Sequence, residues 1–135
     1  MPRVDAGGRG WRQERGRRAE ERALAFLRAR GLRCLARNWR RRRCELDLVM
    51  ADGAALVFVE VRYRGRSDYG GAAASVDARK QRRLIRCALL YLQAYPPSGD
   101  VRFDVVSLAP AASDGAGDVA EPTVTWIRDA FRPVL

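Results

Sequence analysis

Residues 45–63, ELDLVMADGAALVFVEVRY, read as two apolar runs around an Asp-Gly turn, and both runs carry acids. Glu45, Asp47 and Glu60 lie inside them, with Arg62 two residues beyond the last. A carboxylate in a run that tends to be buried is costly unless a cation or hydrogen bonds compensate it. Acids on one patch repel each other, and a divalent cation is a common remedy. Oxygen ligands without imidazole or thiolate favour magnesium or manganese over zinc. The other reading is a set of solvated acids and a salt bridge to Arg62 on an open antiparallel face.

The hairpin register determines whether these groups can meet. Asp52-Gly53 is a strong two-residue turn signal, which makes Ala51 and Ala54 the closing pair. Asp47 then lies opposite Phe58, and Glu45 opposite Glu60. Residues two apart share a face, as do direct partners. Glu45, Asp47, Phe58, Glu60 and Arg62 are therefore expected on one side, with Leu46, Leu48, Val57, Val59 and Val61 facing a core on the other. A one-residue slip would separate Asp47 from Glu60.

The flanking segments supply the elements that would hold this hairpin. Residues 1–12 are rich in glycine and arginine and suggest a flexible basic arm. Over 13–30 the pattern is helical, with Glu20, Ala23, Leu24 and Leu27 on one stripe and Gly31 as the stop. Glu20 at the stripe's edge can pair with Arg17 or another arginine, or reach the acidic patch. A short strand over 32–36 precedes Arg40, Arg41, Arg42 and Arg43. This run is either a solvated loop or a phosphate-holding segment, with Trp39 stacking on a base or sugar. Arg64 and Arg66 lie in a glycine-rich loop over 63–74 and join the candidate nucleic-acid contacts.

A helix follows from Ser75 or Asp77, either a plausible N-cap, to residue 94, before Pro96-Pro97. Its apolar stripe includes Leu84, Ile85, Ala88, Leu89 and Leu92. Lys80, one turn before Leu84, is either a surface lysine or points back at the sheet. Residues 101–108 form a long strand with Val101, Phe103 and Val105 on one face. A mobile loop is expected at 109–122, then a short strand at 123–127 and a brief helix or turn through Phe131. This order describes an α/β fold, a central mixed β-sheet flanked by α-helices, with a parallel crossover between the Glu60 and Val101 strands.

At 135 residues the chain is long enough for one domain with a real core, and its formal charge of +10 points to a polyanionic partner, most simply nucleic acid. All 26 basic residues except Lys80 are arginine, a bias that genome composition can also produce. No stretch approaches the roughly 18 to 20 apolar residues that span a bilayer, and no signal core is present. Cys34, Cys44 and Cys87 lack paired metal spacing and are expected as thiols in a reducing cytoplasm. The absence of histidine excludes histidine-based triads and histidine-ligated zinc.

An acid on the first helix, an Asp one strand later and Glu-x-basic on the next resemble the PD-(D/E)XK nuclease core. More closely, the chain resembles the YraN family (uncharacterised protein family 0102), itself similar to archaeal Holliday-junction resolvases. The matching stretches are GRRAEERALAFL from Gly16, ARNWR from Ala36, ELDLV from Glu45, VFVEVRYR from Val57, RKQRRL from Arg79, RFDVV from Arg102 and WIRDAF from Trp126. The resemblance implies a restriction-endonuclease-like core over one domain at 13–135. It also implies a Mg²⁺- or Mn²⁺-dependent DNA endonuclease, with branched or Holliday-junction-like DNA as substrate. Carried over by position, Asp47, Glu60 and Glu20 are metal ligands, and Arg62 stands at the lysine position. Lys80 matches a basic residue of the second helix. Ala19 and Cys44 stand where members often have glycine.

Arginine stays protonated near neutrality, so Arg62 cannot be a general base, though it can hydrogen-bond a phosphate. The activated water or Lys80 would supply the remainder. A catalytically weak or silent nucleic-acid-binding protein is the alternative, and an RNA-associated protein a further one. By analogy with resolvases, two symmetric cuts imply a homodimer.

Overall fold

Near-continuous apolar runs such as LVMA and DVVSLA suit strands covered on both faces, and the chain folds that way. The structure, a computed structural model, describes residues 8–63, 76–110 and 122–133. Its elements are α1 (Gly8–Ala29), β1 (Arg33–Arg41), β2 (Cys44–Asp52), β3 (Ala55–Tyr63), α2 (Ala78–Ala94), β4 (Val101–Ala109) and β5 (Thr123–Phe131). The strands form one sheet in sequence order, antiparallel except for the parallel β3–β4 pair. This is an α/β fold with a restriction-endonuclease-like core. No helix among the described residues is long and apolar enough to cross a membrane.

Each helix covers one face. Ala19, Ala23, Leu24 and Leu27 of α1 pack on Leu48, Met50, Val57, Val59, Val106 and Leu108. Leu84, Cys87, Ala88 and Tyr91 of α2 pack on Leu46, Val49, Phe58, Phe103 and Val105. The face expected to be open is therefore a second core. Helix α1 ends in a Schellman arrangement: Gly31, at φ 91°, donates to the Arg28 carbonyl and Leu32 to that of Leu27. It begins at Gly8, inside the segment expected as an arm. In α2, Asp77 is the N-cap and accepts from the Lys80 amide at 2.9 Å. Its buried stripe includes Cys87 and Tyr91, whereas Leu89, expected inside, is 56 % exposed.

Two boundaries differ from expectation for electrostatic reasons. The β2–β3 hairpin closes at Asp52↔Ala55, one place beyond the expected pair, so Gly53 and Ala54 make the turn. Gly53 takes φ 58°, which a first turn position of the II′ kind requires. Asp52 remains in the strand, where its carboxylate accepts from Arg102 at 2.8 Å and Arg128 at 3.0 Å. The shift moves each partner by two residues and so preserves faces: Val49 now pairs with Phe58.

Strand β5 runs to Phe131 instead of ending at residue 127 in a helix or turn. Asp104, 1 % exposed, accepts from Arg102 Nε at 3.0 Å, Trp126 Nε1 at 2.9 Å and the Asp129 amide at 2.9 Å. The last bond holds Asp129 at φ 51° beside a register shift, after which Phe131 pairs and stacks with Phe103. The arginine run also belongs to regular structure, since β1 continues through Arg41, and Arg42 and Arg43 turn into β2.

Cys44 and Cys87, expected as separate thiols, form a disulfide between the first residue of β2 and α2, leaving Cys34 free. Titration of the denatured, unreduced chain is expected to find one reactive thiol, and three after reduction. For a sequence separation of 43 residues, chain entropy predicts a loss of about 4 kcal/mol of stability on reduction. Three thiols before reduction would contradict the bridge.

Candidate functional site

The hairpin's backbone pairing leaves a place for chemistry where it stops. Pairs run from Asp52↔Ala55 to Leu48↔Val59, and beyond them the Val61 amide donates to the Asp47 carboxylate at 2.9 Å. A side chain thus takes the place of a ladder acceptor. Strict alternation also breaks here, because Leu48 packs on the α1 side but Leu46, expected beside it, on the α2 side. Asn38, between the pairs Arg37↔Leu48 and Trp39↔Leu46, falls opposite Asp47 and is left-handed at φ 49°. Such a residue re-aims a strand locally, and asparagine tolerates that conformation better than most.

Three acids respond to this geometry. Burial is the first cause that raises the Glu60 carboxyl, followed by the charge of Asp47 and a hydrogen bond with it, to about 8. Arg62 and Lys80 pull the other way. Burial also raises Asp47, against bonds from the Val61 amide and Glu60 that lower it. Both carboxyls are raised, so the pair holds a proton in the hydrogen bond between Glu60 and Asp47. Glu20 on α1 is raised by burial and then by the Asp47 charge, while its bond with the Asn38 side chain opposes the shift.

The basic partners come from β3 and α2. Arg62 is half-buried and acts on both carboxyls. Lys80 is half-buried too, and burial followed by the Arg62 charge lowers its pKa, with Glu60 opposing. The structure thus brings Glu20, Asp47, Glu60, Arg62 and Lys80 into one electrostatic neighbourhood. Glu45 makes an exposed ion pair with Arg40 at 3.2 Å, and its charge still helps to raise Asp47 and Glu20.

Other expected contacts divide. Arg40, Arg41, Arg42 and Arg43 are exposed at the β1–β2 turn. Trp39 is half-buried with its ring edge-on to Tyr91, centroids 5.4 Å apart, so its ring serves the α2-side core. Arg64 and Arg66 lie outside the described residues.

Two residues entered the neighbourhood without being singled out in the sequence. One is Asn38. The other is Ser107, paired with Arg62 across the parallel ladder and 2 % exposed, with a hydroxyl that finds no hydrogen-bond partner among the described residues. Its signal was a lone hydroxyl inside the run VVSLA.

Among the described residues, no group of three or more acid or thiol side chains is gathered into a metal cluster. The donor chemistry of the Asp47–Glu60 pair nevertheless suits a hard cation. It offers carboxylate oxygens that repel when both are ionised, and no soft donor.

Fold and site together define a restriction-endonuclease-like α/β protein with a half-buried carboxyl pair at the parting of β2 and β3. Residues 19–108 match the model of the Uncharacterised protein family UPF0102, and the chain belongs to that family. It is 53% identical over 120 residues to a UPF0102 protein of Halorhodospira halophila, covering 89% of this chain and 88% of the relative. A UPF0102 protein of Pseudomonas entomophila is 50% identical over 118 residues, 86% of this chain and 91% of its own. One of Methylococcus capsulatus is 50% identical over 116 residues, 86% and 89% respectively.

The raised Glu60 value makes stability depend on pH. The folded state holds this proton more tightly than the unfolded chain. Its contribution is complete below the ordinary value of 4.5 and is lost as pH rises through about 8. In metal-free buffer, denaturant unfolding is expected to show this loss between those limits, on the order of a few kcal/mol. Glu60→Gln should flatten the profile; an unchanged profile would contradict the assignment.

Proposed function

We propose that this chain hydrolyses DNA phosphodiester bonds with Mg²⁺ or Mn²⁺ held by Asp47 and Glu60, Glu20 serving as a further donor. The observation that carries this reading is the hydrogen-bonded carboxyl pair, flanked by a fixed cation on β3 and a second on α2. When bound, the metal would supply Lewis-acid chemistry, activating water and shielding charge on the scissile phosphate.

The chain's own residues have distinct tasks in this scheme. The Val61 amide holds one Asp47 oxygen, which orients the carboxylate toward Glu60. The Asn38 side chain steadies Glu20. The Arg62 guanidinium donates hydrogen bonds to a phosphate oxygen and stabilises charge in the transition state. Lys80, whose proton burial and Arg62 loosen, is the group that can hold or pass a proton at the leaving or attacking oxygen. Branched DNA cut by a homodimer is the substrate form we propose, because paired symmetric cuts need two such sites.

A second reading has one observation in its favour. Position 62 carries arginine where the family resemblance implies lysine, which suits a nucleic-acid-binding protein with a weak or silent site.

Calorimetry with Mg²⁺ and Mn²⁺ in buffers of differing ionisation enthalpy, followed by cleavage of junction, flap and duplex DNA, separates the two. Metal binding should release a proton near neutral pH. Asp47→Asn and Glu60→Gln should each reduce cleavage on the order of 100-fold or more, the scale for losing one stabiliser of transition-state charge. Lys80→Ala should reduce it by a comparable factor, the lower end for general acid–base groups. DNA binding without metal uptake or cleavage of any substrate would establish the second reading.

A further inference from the structure

The first half of α2 breaks the charge rules that stabilise a helix. No acid lies within Ala78–Ala94, yet Arg79, Lys80, Arg82, Arg83 and Arg86 all fall in its first nine residues. Cations there oppose the helix dipole, and like charges three or four residues apart repel. Asp77, the N-cap, is the acid that attracts Arg79 and Lys80. Among the described residues, no ion pair engages Arg79, Arg82, Arg83 or Arg86.

These four arginines are exposed and follow the spacing i, i+3, i+4, i+7, so they make one stripe. With Asp77 and Lys80 they line a shallow groove. Lys80 is the inward member, since it interacts with Glu60 and Arg62 while the arginines face solvent. The stripe therefore begins on the helical turn that reaches the carboxyl pair.

We propose that this arginine stripe docks the phosphate backbone of one DNA strand and leads it to the Asp47–Glu60 pair; the inference rests on the reading given under Proposed function. The dimensions agree. Arg79 to Arg86 spans about 10.5 Å at 1.5 Å per residue, matching about three phosphates at 3.4 Å of axial rise per strand. Guanidinium forks grip phosphate oxygens bidentately, which a diffuse ammonium surface does not. The helix N-terminus adds the same sign of potential. Binding to an anionic membrane would also need an apolar wedge. Leu89, one turn past Arg86, is the one exposed leucine of α2.

The test is anisotropy titration of fluorescent four-way junction and duplex DNA in EDTA, over about 50 to 200 mM salt. It compares the full chain with the variant Arg79→Gln/Arg82→Gln/Arg83→Gln/Arg86→Gln. Glutamine is a good helix former, so the substitution removes charge without removing helix propensity. The slope of log affinity against log salt should fall by about 0.9 for each phosphate that is no longer neutralised, up to about 3 in total. Affinity should drop on the order of 100-fold, with Mg²⁺ binding retained. Arg83→Gln alone should lower the slope by about 0.9. Unchanged affinity and slope in the fourfold variant would overturn the proposal, as would DNA binding weaker than binding to vesicles of phosphatidylserine and phosphatidylcholine in equal parts. The nuclease reading fails on a different result, absence of metal-dependent cleavage, so the two can be rejected separately.

Discussion

Asp47 and Glu60, half-buried side by side, set a demand that neither residue can meet alone. Two carboxylates in a poorly solvated place repel, and one must hold a proton or both must share a cation. The surrounding elements each act on that demand. The Val61 amide bonds Asp47 from the same strand that carries Glu60, Arg62 lies two residues further on, and Lys80 approaches from α2. Glu20 comes from α1 on the opposite side of the sheet and adds to the negative charge. The site therefore draws on both helices, and both must dock for it to exist.

The sheet bears this strain beside a second acidic centre whose bonds are well supplied. Asp104, as buried as any core valine, receives bonds from Arg102, Trp126 and Asp129, and Arg102 continues to Asp52 at the hairpin turn. That network ties β2, β4 and β5 together from the hairpin turn to Asp104, which pairs with Val59 next to Glu60. The contrast between the buried Asp104 and the half-buried carboxyl pair is informative. Asp104 is surrounded by donors and reads as structural, whereas Asp47 and Glu60 are left largely to each other. Buried polar groups that remain incompletely satisfied are where function is usually found.

Cations are spread over this frame according to distance from the pair. Arg62 and Lys80 touch its field, the α2 stripe lies one helical face outward, and Arg40–Arg43 mark the β1–β2 turn. The disulfide joins the start of β2 to α2, and so links the strand of Asp47 to the helix of Lys80. A rigid relation between those elements matters more for a two-sided site than for a core alone.

Local sequence carried much of this. Stripe spacing identified α1 and the edge position of Glu20, and Asp77 with Pro96-Pro97 bounded α2. The alternating runs identified β3 and β4, and the carboxyls of Asp47 and Glu60 stood out because apolar runs rarely contain acids. What local pattern could not supply was anything set by a distant partner. Asp52 left the expected turn because Arg102 and Arg128 hold it, and β5 continued to Phe131 because Asp104 captures the Asp129 amide. Cys44 met Cys87 across the sheet face, and Trp39 turned into a core that exists only once α2 has docked. By contrast, Asp47 meets Glu60 because the observed register, continued one step past Leu48↔Val59, sets the two opposite each other on the shared face that spacing suggested. Residue types and their spacing determined which groups could do chemistry. Long-range pairing decided which of them are close enough to change one another's charge.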